Sequence, residues 1–293
     1  MLDVLCGTRG LTTTPAIRRL AAVALVAVLT CPADASVPGH IRDNYTAALV
    51  MDARSGEVLF ADRARDPVIP ASLVKMMVLL IGMEHIESGE LSLDERYEVT
   101  AAASLIGGHQ VYLKQGEVFE LGDLLKAVMV FSANDAAYAV AEHIAGSQSA
   151  FVDLMNERAR TLGMDDTHFT NVHGLPPGPS GKADNRTTAR DLSVLARALM
   201  RYPVVLNWSS TRLDWFRDGT FQLLNTNHRF LHRFAGADGL KTGYHSRGAG
   251  HCVVGTALRG GRRLLAVIMG ADAGRERLRA LTTLLDRGFE GRL

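Results

Sequence analysis

Cysteine is scarce in this 293-residue chain: only Cys6, Cys31 and Cys252 occur. The first two fall in an N-terminal stretch with the marks of a removable leader. Arg9, Arg18 and Arg19 form a basic flank, Leu20 to Leu29 is an unbroken apolar run, and Ala33-Asp34-Ala35 offers a small-x-small cleavage site. Residues 1–35 are therefore expected to be a signal peptide, and residues 36–293 are long enough for one large domain or two lobes sharing a cleft. Without the leader, Cys252 stands alone and no internal disulfide is possible, so the core must carry stability unaided. Cys252 sits in the apolar stretch His251-Cys252-Val253-Val254 and reads as a packing residue.

An excess of either charge is missing too. Three arginines and two aspartates leave with the leader, so the remainder carries 32 − 3 = 29 basic and 31 − 2 = 29 acidic residues. That balance excludes the electrostatic footprint of a nucleic-acid binder. No segment after the leader is long and apolar enough to span a bilayer, which takes ~20 residues. Repeats and low-complexity segments are absent. Lysine is rare: of 32 basic residues only Lys75, Lys114, Lys126, Lys182 and Lys241 are lysine. Arginine thus supplies most structural positive charge, and each lysine invites a chemical explanation, because an amine can lose its proton where a guanidinium cannot.

Two of the five lysines fall in short motifs that appear in a fixed order: Ser72-Leu73-Val74-Lys75, Ser132-Ala133-Asn134 and Lys241-Thr242-Gly243. Each alone is weak, but each supplies a different part of a serine acyl-transfer site with a lysine base. Residues three apart on a helix share a face, so Lys75 can reach the Ser72 hydroxyl. A serine attacks only when a base takes its proton. Lysine can do so if burial and a second cation lower its pKa, and Lys241 is the natural second cation. Ser72 at a helix start has its own N–H free for an oxyanion, and the Tyr244 N–H is the candidate second donor. Gly243 would let a substrate backbone approach closely. Ser132 could relay a proton to a leaving amine and Asn134 could hold a substrate amide; equally, both could simply cap the helix that follows.

The pattern along the chain predicts an α+β fold. A hairpin is expected over Thr46–Met51 and Glu57–Ala61, then a mostly buried helix from Ser72 to about Ile86. Further helices are predicted at Leu121–Val130, Asn134–Ile144, Phe151–Leu162 capped by Ser149, and from a Thr187 or Thr188 cap to Met200, where Tyr202-Pro203 stops it. A Pro- and Gly-rich loop covers residues 173–185. Strands follow at Leu240–Thr242, His251–Ala257 and Leu264–Met269, with turns at Gly243, Gly248 and Gly260-Gly261, and Arg277–Phe289 closes the chain as a core-facing helix. Strands, helices, then strands imply an antiparallel sheet completed by both chain ends, flanked by helices, with a helical lobe inserted between.

The motifs and the stretches Met51–Leu59, Pro70–Met77, Ser132–Ala137, Leu162–Met164, Asn171–Leu175, Thr188–Leu192 and Asp238–Tyr244 resemble those of the D-alanyl-D-alanine carboxypeptidases, the low-molecular-mass penicillin-binding proteins. The resemblance covers Tyr45 to Phe289. It implies a β-lactamase/transpeptidase-like fold and a cofactor-free, metal-free enzyme that removes the terminal D-Ala from peptidoglycan stem peptides through a Ser72 acyl-enzyme. Lys75 would be the base, Ser132 would help protonate the departing D-Ala, and Asn134 would hold the substrate amide. Lys241 and Thr242 would bind the terminal carboxylate, assisted by Arg277 or Arg275. Penicillins would trap Ser72, and the protein would be exported to the periplasm or cell surface. The chain ends soon after the resembling region, so no strong membrane anchor is expected. Asn225-Thr226-Asn227-His228 and Ala249-Gly250-His251-Cys252 resemble endopeptidase relatives that cut cross-links, whereas Asn134-Asp135 is carboxypeptidase-like, and the second reading is preferred. A β-lactamase is the nearest rival, but the chain has no Glu-x-x-Leu-Asn to activate water. His228 and His232 are four apart without an adjacent Glu or an evident third ligand, so zinc is not expected. Gly236–Thr242 fails as a phosphate loop because Leu240 stands where Gly is required.

Overall fold

The computed structural model describes residues 44–177 and 183–293. The leader, its cleavage site and part of the Pro- and Gly-rich loop lie outside the described residues.

The first hairpin forms as expected, β1 (Ala47–Asp52) and β2 (Val58–Asp62). A short 3-10 turn (Ala71–Val74) leads directly into α1 (Lys75–Glu87). Met76 to Ile81 are all buried, so α1 is apolar around its whole circumference and runs through the middle of the helical lobe. The lobe continues with β3 (Arg96–Glu98), α2 (Ala101–Ser104), β4 (Val118–Glu120), α3 (Leu121–Val130), α4 (Asn134–Ala145) and α5 (Gln148–Thr161). It is followed by α6 (Ala189–Leu199), α7 (Pro203–Ser210), the hairpin β5 (Leu213–Phe216) and β6 (Phe221–Leu224), and α8 (His228–Arg233). Three long strands, β7 (Ala237–His245), β8 (Gly250–Arg259) and β9 (Arg262–Ala271), precede the closing helix α9 (Gly274–Phe289).

The main sheet has the order β2-β1-β9-β8-β7, and every pairing in it is antiparallel. Both chain ends thus complete one sheet around the helical lobe. Alternation along the central strands divides the core. Val254, Leu265, Val267 and Met269 face the lobe, whereas Val253, Leu264, Ala266 and Ile268 pack with Leu281, Leu284 and Leu285 of α9. Each such buried leucine contributes roughly 1.5–3 kcal/mol of transfer free energy, so the α9 stripe is a core seam, as expected.

Several local expectations differ. The cap of α5 is Ser147, whose hydroxyl accepts the Ala150 N–H, and not Ser149. Thr188, not Thr187, caps α6. Tyr202-Pro203 ends the α6 region as expected, but Pro203 also opens a further helix, α7, at its first turn, where the missing N–H of proline is harmless. Gly243 is no turn: it lies within β7, paired with Cys252. His228–Arg233 forms a short helix that the pattern along the chain did not announce.

Candidate active site

The three motifs meet at the free edge of β7. The Ser72 turn packs against this strand, and a β-carbon on Gly243 would stand 2.8 Å from the Pro70 carbonyl oxygen and 3.2 Å from the Ser72 nitrogen. Glycine at 243 therefore permits the strand to pass that close. Another glycine holds the opposite side. Gly174 has φ +78° and lies against the Ala71–Ser72 peptide, bringing the loop carrying His173 over the serine.

Lys75 is fully buried, and its Nζ lies 2.9 Å from Ser72 Oγ, 2.7 Å from Asn134 Oδ1 and 2.8 Å from the His173 carbonyl oxygen. Burial pushes the Lys75 amine well below the usual lysine range, the Lys241 charge pushes it further down, and Asp135 works in the opposite sense. Asp135 itself is held by the backbone N–H groups of Val111 and Leu113, so it fixes the segment beside the site.

Lys241 is buried with one long hydrogen bond, donated to the Thr242 carbonyl at 3.3 Å. Burial first and the Arg277 guanidinium second bring it down to about 7. The Thr242 hydroxyl donates to Thr226 Oγ1 at 2.8 Å. Arg277 is partly buried, its guanidinium donating to the Cys252 carbonyl at 3.4 Å, whereas Arg275 is almost fully exposed and pairs with Glu276. Arg277, not Arg275, therefore belongs to the electrostatics of the site. Tyr244 is half-exposed on the sheet side of the groove, stacked on His251 at 4.2 Å. Cys252 is buried, and burial raises its thiol to about 11, as suits a packing residue.

Ser132 and Asn134 are not helix caps. The α4 cap position is Ala133 and no side chain bonds there. Ser132 has φ +68°, a left-handed conformation that costs a non-glycine residue of order 1–3 kcal/mol and tends to persist where function requires it. Its hydroxyl has no hydrogen-bond partner among the described residues. The Asn134 carboxamide is held at both ends: Oδ1 accepts from Lys75, and Nδ2 donates to the Gly107 carbonyl at 2.8 Å.

Two residues escaped sequence reasoning. His173 supplies the third oxygen around Lys75; its ring Nδ1 accepts the Leu175 N–H at 3.1 Å, which fixes the tautomer, and burial then Lys75 lower it to about 4. His109 stacks on Phe131 at 4.1 Å and feels the charges of both Lys241 and Lys75. Partial desolvation, Lys241 and Lys75 hold it down to about 4, so it is neutral at physiological pH. The signal for His173 was present in the family-like stretch Asn171–Leu175; for His109 there was none.

The endopeptidase-like stretch has a local explanation. Asn225 Nδ2 donates to the Ser209 and Thr211 carbonyls, and Asn227 Nδ2 reaches the Gly239 carbonyl at 3.4 Å. These asparagines tie the segment before β7 in place. His232 pairs with Arg212 at 3.1 Å, and no group of metal-ligating side chains occurs among the described residues.

A sheet edge closing over a Ser-x-x-Lys turn beneath a helical lobe is the architecture of the penicillin-binding proteins. The ampicillin-bound penicillin-binding protein D2 of Listeria monocytogenes superposes with a TM-score of 0.76 at 31% identity, covering 86% of this chain and 99% of that one. The chain belongs to the D-alanyl-D-alanine carboxypeptidase family of peptidases, whose profile matches residues 35–273. The D-alanyl-D-alanine carboxypeptidase DacF of Bacillus subtilis is 33% identical over 246 residues, 83% of this chain and 61% of the relative. A D-alanyl-D-alanine endopeptidase of Pseudomonas aeruginosa is 33% identical over 214 residues, 71% of this chain and 65% of the relative. The chain thus spans about three-fifths of the length of the Bacillus relative.

Proposed function

We propose that the protein is a serine-type D-Ala-D-Ala carboxypeptidase that removes the terminal D-Ala from peptidoglycan stem peptides and is inhibited by penicillins. The observation that carries this is the surroundings of Lys75. A neutral amine has two N–H groups and one lone pair. With Asn134 Oδ1 and the His173 carbonyl taking the two N–H groups, the lone pair is left facing the Ser72 hydroxyl 2.9 Å away. After taking the serine proton, the ammonium has three acceptors already in place. The base is therefore organised in both protonation states, and its lowered pKa keeps the neutral form accessible near pH 7.

The remaining roles follow from position. Ser72 attacks the penultimate D-Ala carbonyl, and the oxyanion is held by the Ser72 N–H, which no described carbonyl accepts, and by the Tyr244 N–H on the facing strand. Ser132, with its free hydroxyl, passes a proton to the departing D-Ala nitrogen. Asn134 positions Lys75 as well as the substrate amide. Lys241 and Thr242 bind the terminal carboxylate, with Gly243 admitting the peptide and Arg277 supplying positive potential. Water then releases the acyl-enzyme. Residues 1–35 act as a signal peptide, and the domain from residue 36 works in the cell envelope, exported to the periplasm or cell surface.

Cutting of cross-links is the second reading, supported by the Pseudomonas relative. One experiment separates them. The protein is incubated with a peptide ending in D-Ala-D-Ala and with a cross-linked muropeptide dimer, beside a Ser72→Ala control. Free D-Ala released only by the wild type supports the carboxypeptidase; cleavage confined to the dimer supports the endopeptidase. Release of a penicilloyl group within milliseconds rather than minutes to hours would point to a β-lactamase instead.

A further inference from the structure

Away from the catalytic groove, the β1–β2 turn, the β8–β9 turn and α6 enclose a second concavity of about 820 Å³. That is within the range of sites for a small molecule or short peptide, ~300–1,000 Å³. Its composition is one-sided. Arg54, Arg190, Arg197, Arg201 and Arg263 all line it, and no lining residue is acidic. Its floor is apolar, built around Met51 and Val194.

The state of these arginines decides what they are for. Arg263 is neutralised by Asp238 at 2.5 Å. Arg197 is fixed by the fold: its Nε donates to the Ala53 carbonyl and its Nη2 to the Arg54 carbonyl, both at 3.0 Å. It keeps its charge but meets no carboxylate. The side chains of Arg54, Arg190 and Arg201 make no hydrogen bond or ion pair among the described residues, and all three are exposed. A chain with almost no net charge thus gathers four uncompensated guanidinium groups around one apolar floor. The guanidinium fork matches a carboxylate in two-point geometry, which an ammonium does not.

The groove is also separate from the chemistry. Thr242 pairs with Val253 on β8, and the groove is reached at Leu258 on the same strand. Five residues of strand span roughly 17 Å. No residue placed in the catalytic site lines it.

We propose that this groove is a second binding site for the acidic stem peptides of the cell-wall polymer, holding one stem while a neighbouring stem occupies the Ser72 site. The proposal rests on the peptidase reading above. Stem peptides of the polymer carry several free carboxylates and small aliphatic side chains, the chemistry that a ring of arginines over an apolar floor accepts. Because substrate stems are linked to one another, a weak second contact raises the local concentration of the next stem at the active site without any change in the catalytic residues.

The full chain carrying Ser72→Ala, which binds polymer without cutting it, is pelleted with insoluble peptidoglycan at low and high salt. It is compared with the same protein carrying Arg54→Glu and Arg201→Glu, and with Arg54→Gln and Arg201→Gln. Neither side chain has a partner in the fold, so unchanged melting temperatures are expected. Polymer binding at low salt should fall about tenfold in the Glu pair, which is ~1.4 kcal/mol for the two exposed contacts together, and less in the Gln pair, and high salt should weaken the parent in the same direction. With Ser72 restored, D-Ala release from polymer below saturation should fall by a similar factor, while release from a short acyl-D-Ala-D-Ala peptide stays within about twofold. Undiminished pelleting overturns the proposal, and so does an equal loss on both substrates. Loss of flotation with phosphatidylglycerol vesicles at undiminished pelleting would make the groove a lipid site and overturn it as well. Failure of penicillin to label Ser72 would count against the peptidase reading alone, since pelleting of the Ser72→Ala protein needs no catalysis.

Discussion

Gly174 and Ala71 approach so closely that a β-carbon on the glycine would stand 2.0 Å from the Ala71 carbonyl oxygen. The same glycine has φ +78°. Two independent requirements therefore exclude a side chain here, and the loop they hold down carries the His173 carbonyl that receives a Lys75 N–H. Gly174→Ala should destabilise by at least the roughly 1–3 kcal/mol of a non-glycine residue in this conformation, with the backbone clash added. More tellingly, the displaced loop should take the His173 oxygen from Lys75. Acylation of Ser72 by a fluorescent penicillin should slow even at temperatures where circular dichroism shows the variant fully folded. Unchanged acylation in a folded variant would remove His173 from the proposed machinery.

Asn134 offers a sharper electrostatic test. Its Oδ1 lies 2.7 Å from Lys75 Nζ and carries no net charge. Asn134→Asp places a carboxylate at that point with almost no change of shape. A negative charge so close favours the ammonium form, which should raise the Lys75 pKa by ~1–3 units. Acylation should fall at pH 7 and recover as pH rises through the new pKa, whereas Asn134→Ala should be slow at every pH. A pH profile of acylation rate for both variants distinguishes a shifted base from a merely damaged site.

Why the site was readable while parts of its frame were not follows from what each residue answers to. Ser72, Lys75 and Lys241 are fixed by chemistry at set spacings, and rare lysines stand out against an arginine-rich background. The long strands β8 and β9 alternate cleanly between two buried faces, so their pattern is strong. Gly243 read as a turn because glycine usually marks one, but here it answers to the Ser72 turn packed against its strand, a tertiary requirement. Pro203 read correctly as the stop after α6, but the helix it opens, α7, was missed, since proline suits the first turn of a helix as well as the end of one. His109 had no signal at all, since its place near Lys75 and Lys241 depends on the loop that Gly108 bends around Asn134.

The end of the groove proposed to bind the terminal carboxylate should show its own pH limit. Lys241 is held down to about 7, with Arg277 the second cause after burial. Below that pH it is an ammonium able to pair with a terminal carboxylate; above it, the charge is lost. KM for a D-Ala-D-Ala peptide should therefore rise as pH passes about 7 in the free enzyme. Arg277→Gln removes a like charge, so the Lys241 pKa should move up and the rise in KM should begin at higher pH, even if affinity at low pH is weakened by the lost potential. A KM profile with the same inflection in both proteins would detach Lys241 from carboxylate binding.

Burying Lys241 for function should also cost stability, in a pH-dependent way whose sign is fixed. Its folded pKa of about 7 lies below the ordinary 10.5, so between those values the folded chain binds fewer protons than the unfolded one. Such a group opposes folding most at pH 7 and below, and its penalty fades as pH rises from about 7 toward 10.5. Methionine has similar length and no charge, and Lys241 makes only one long hydrogen bond that would be lost. Lys241→Met should therefore be more stable than the wild type at pH 7, by on the order of a few kcal/mol. The gap should narrow in urea unfolding repeated at pH 9 and 10, and release of D-Ala should drop steeply at every pH. A variant no more stable than the parent at pH 7 would show that the buried amine is better solvated by the groove than its surroundings indicate.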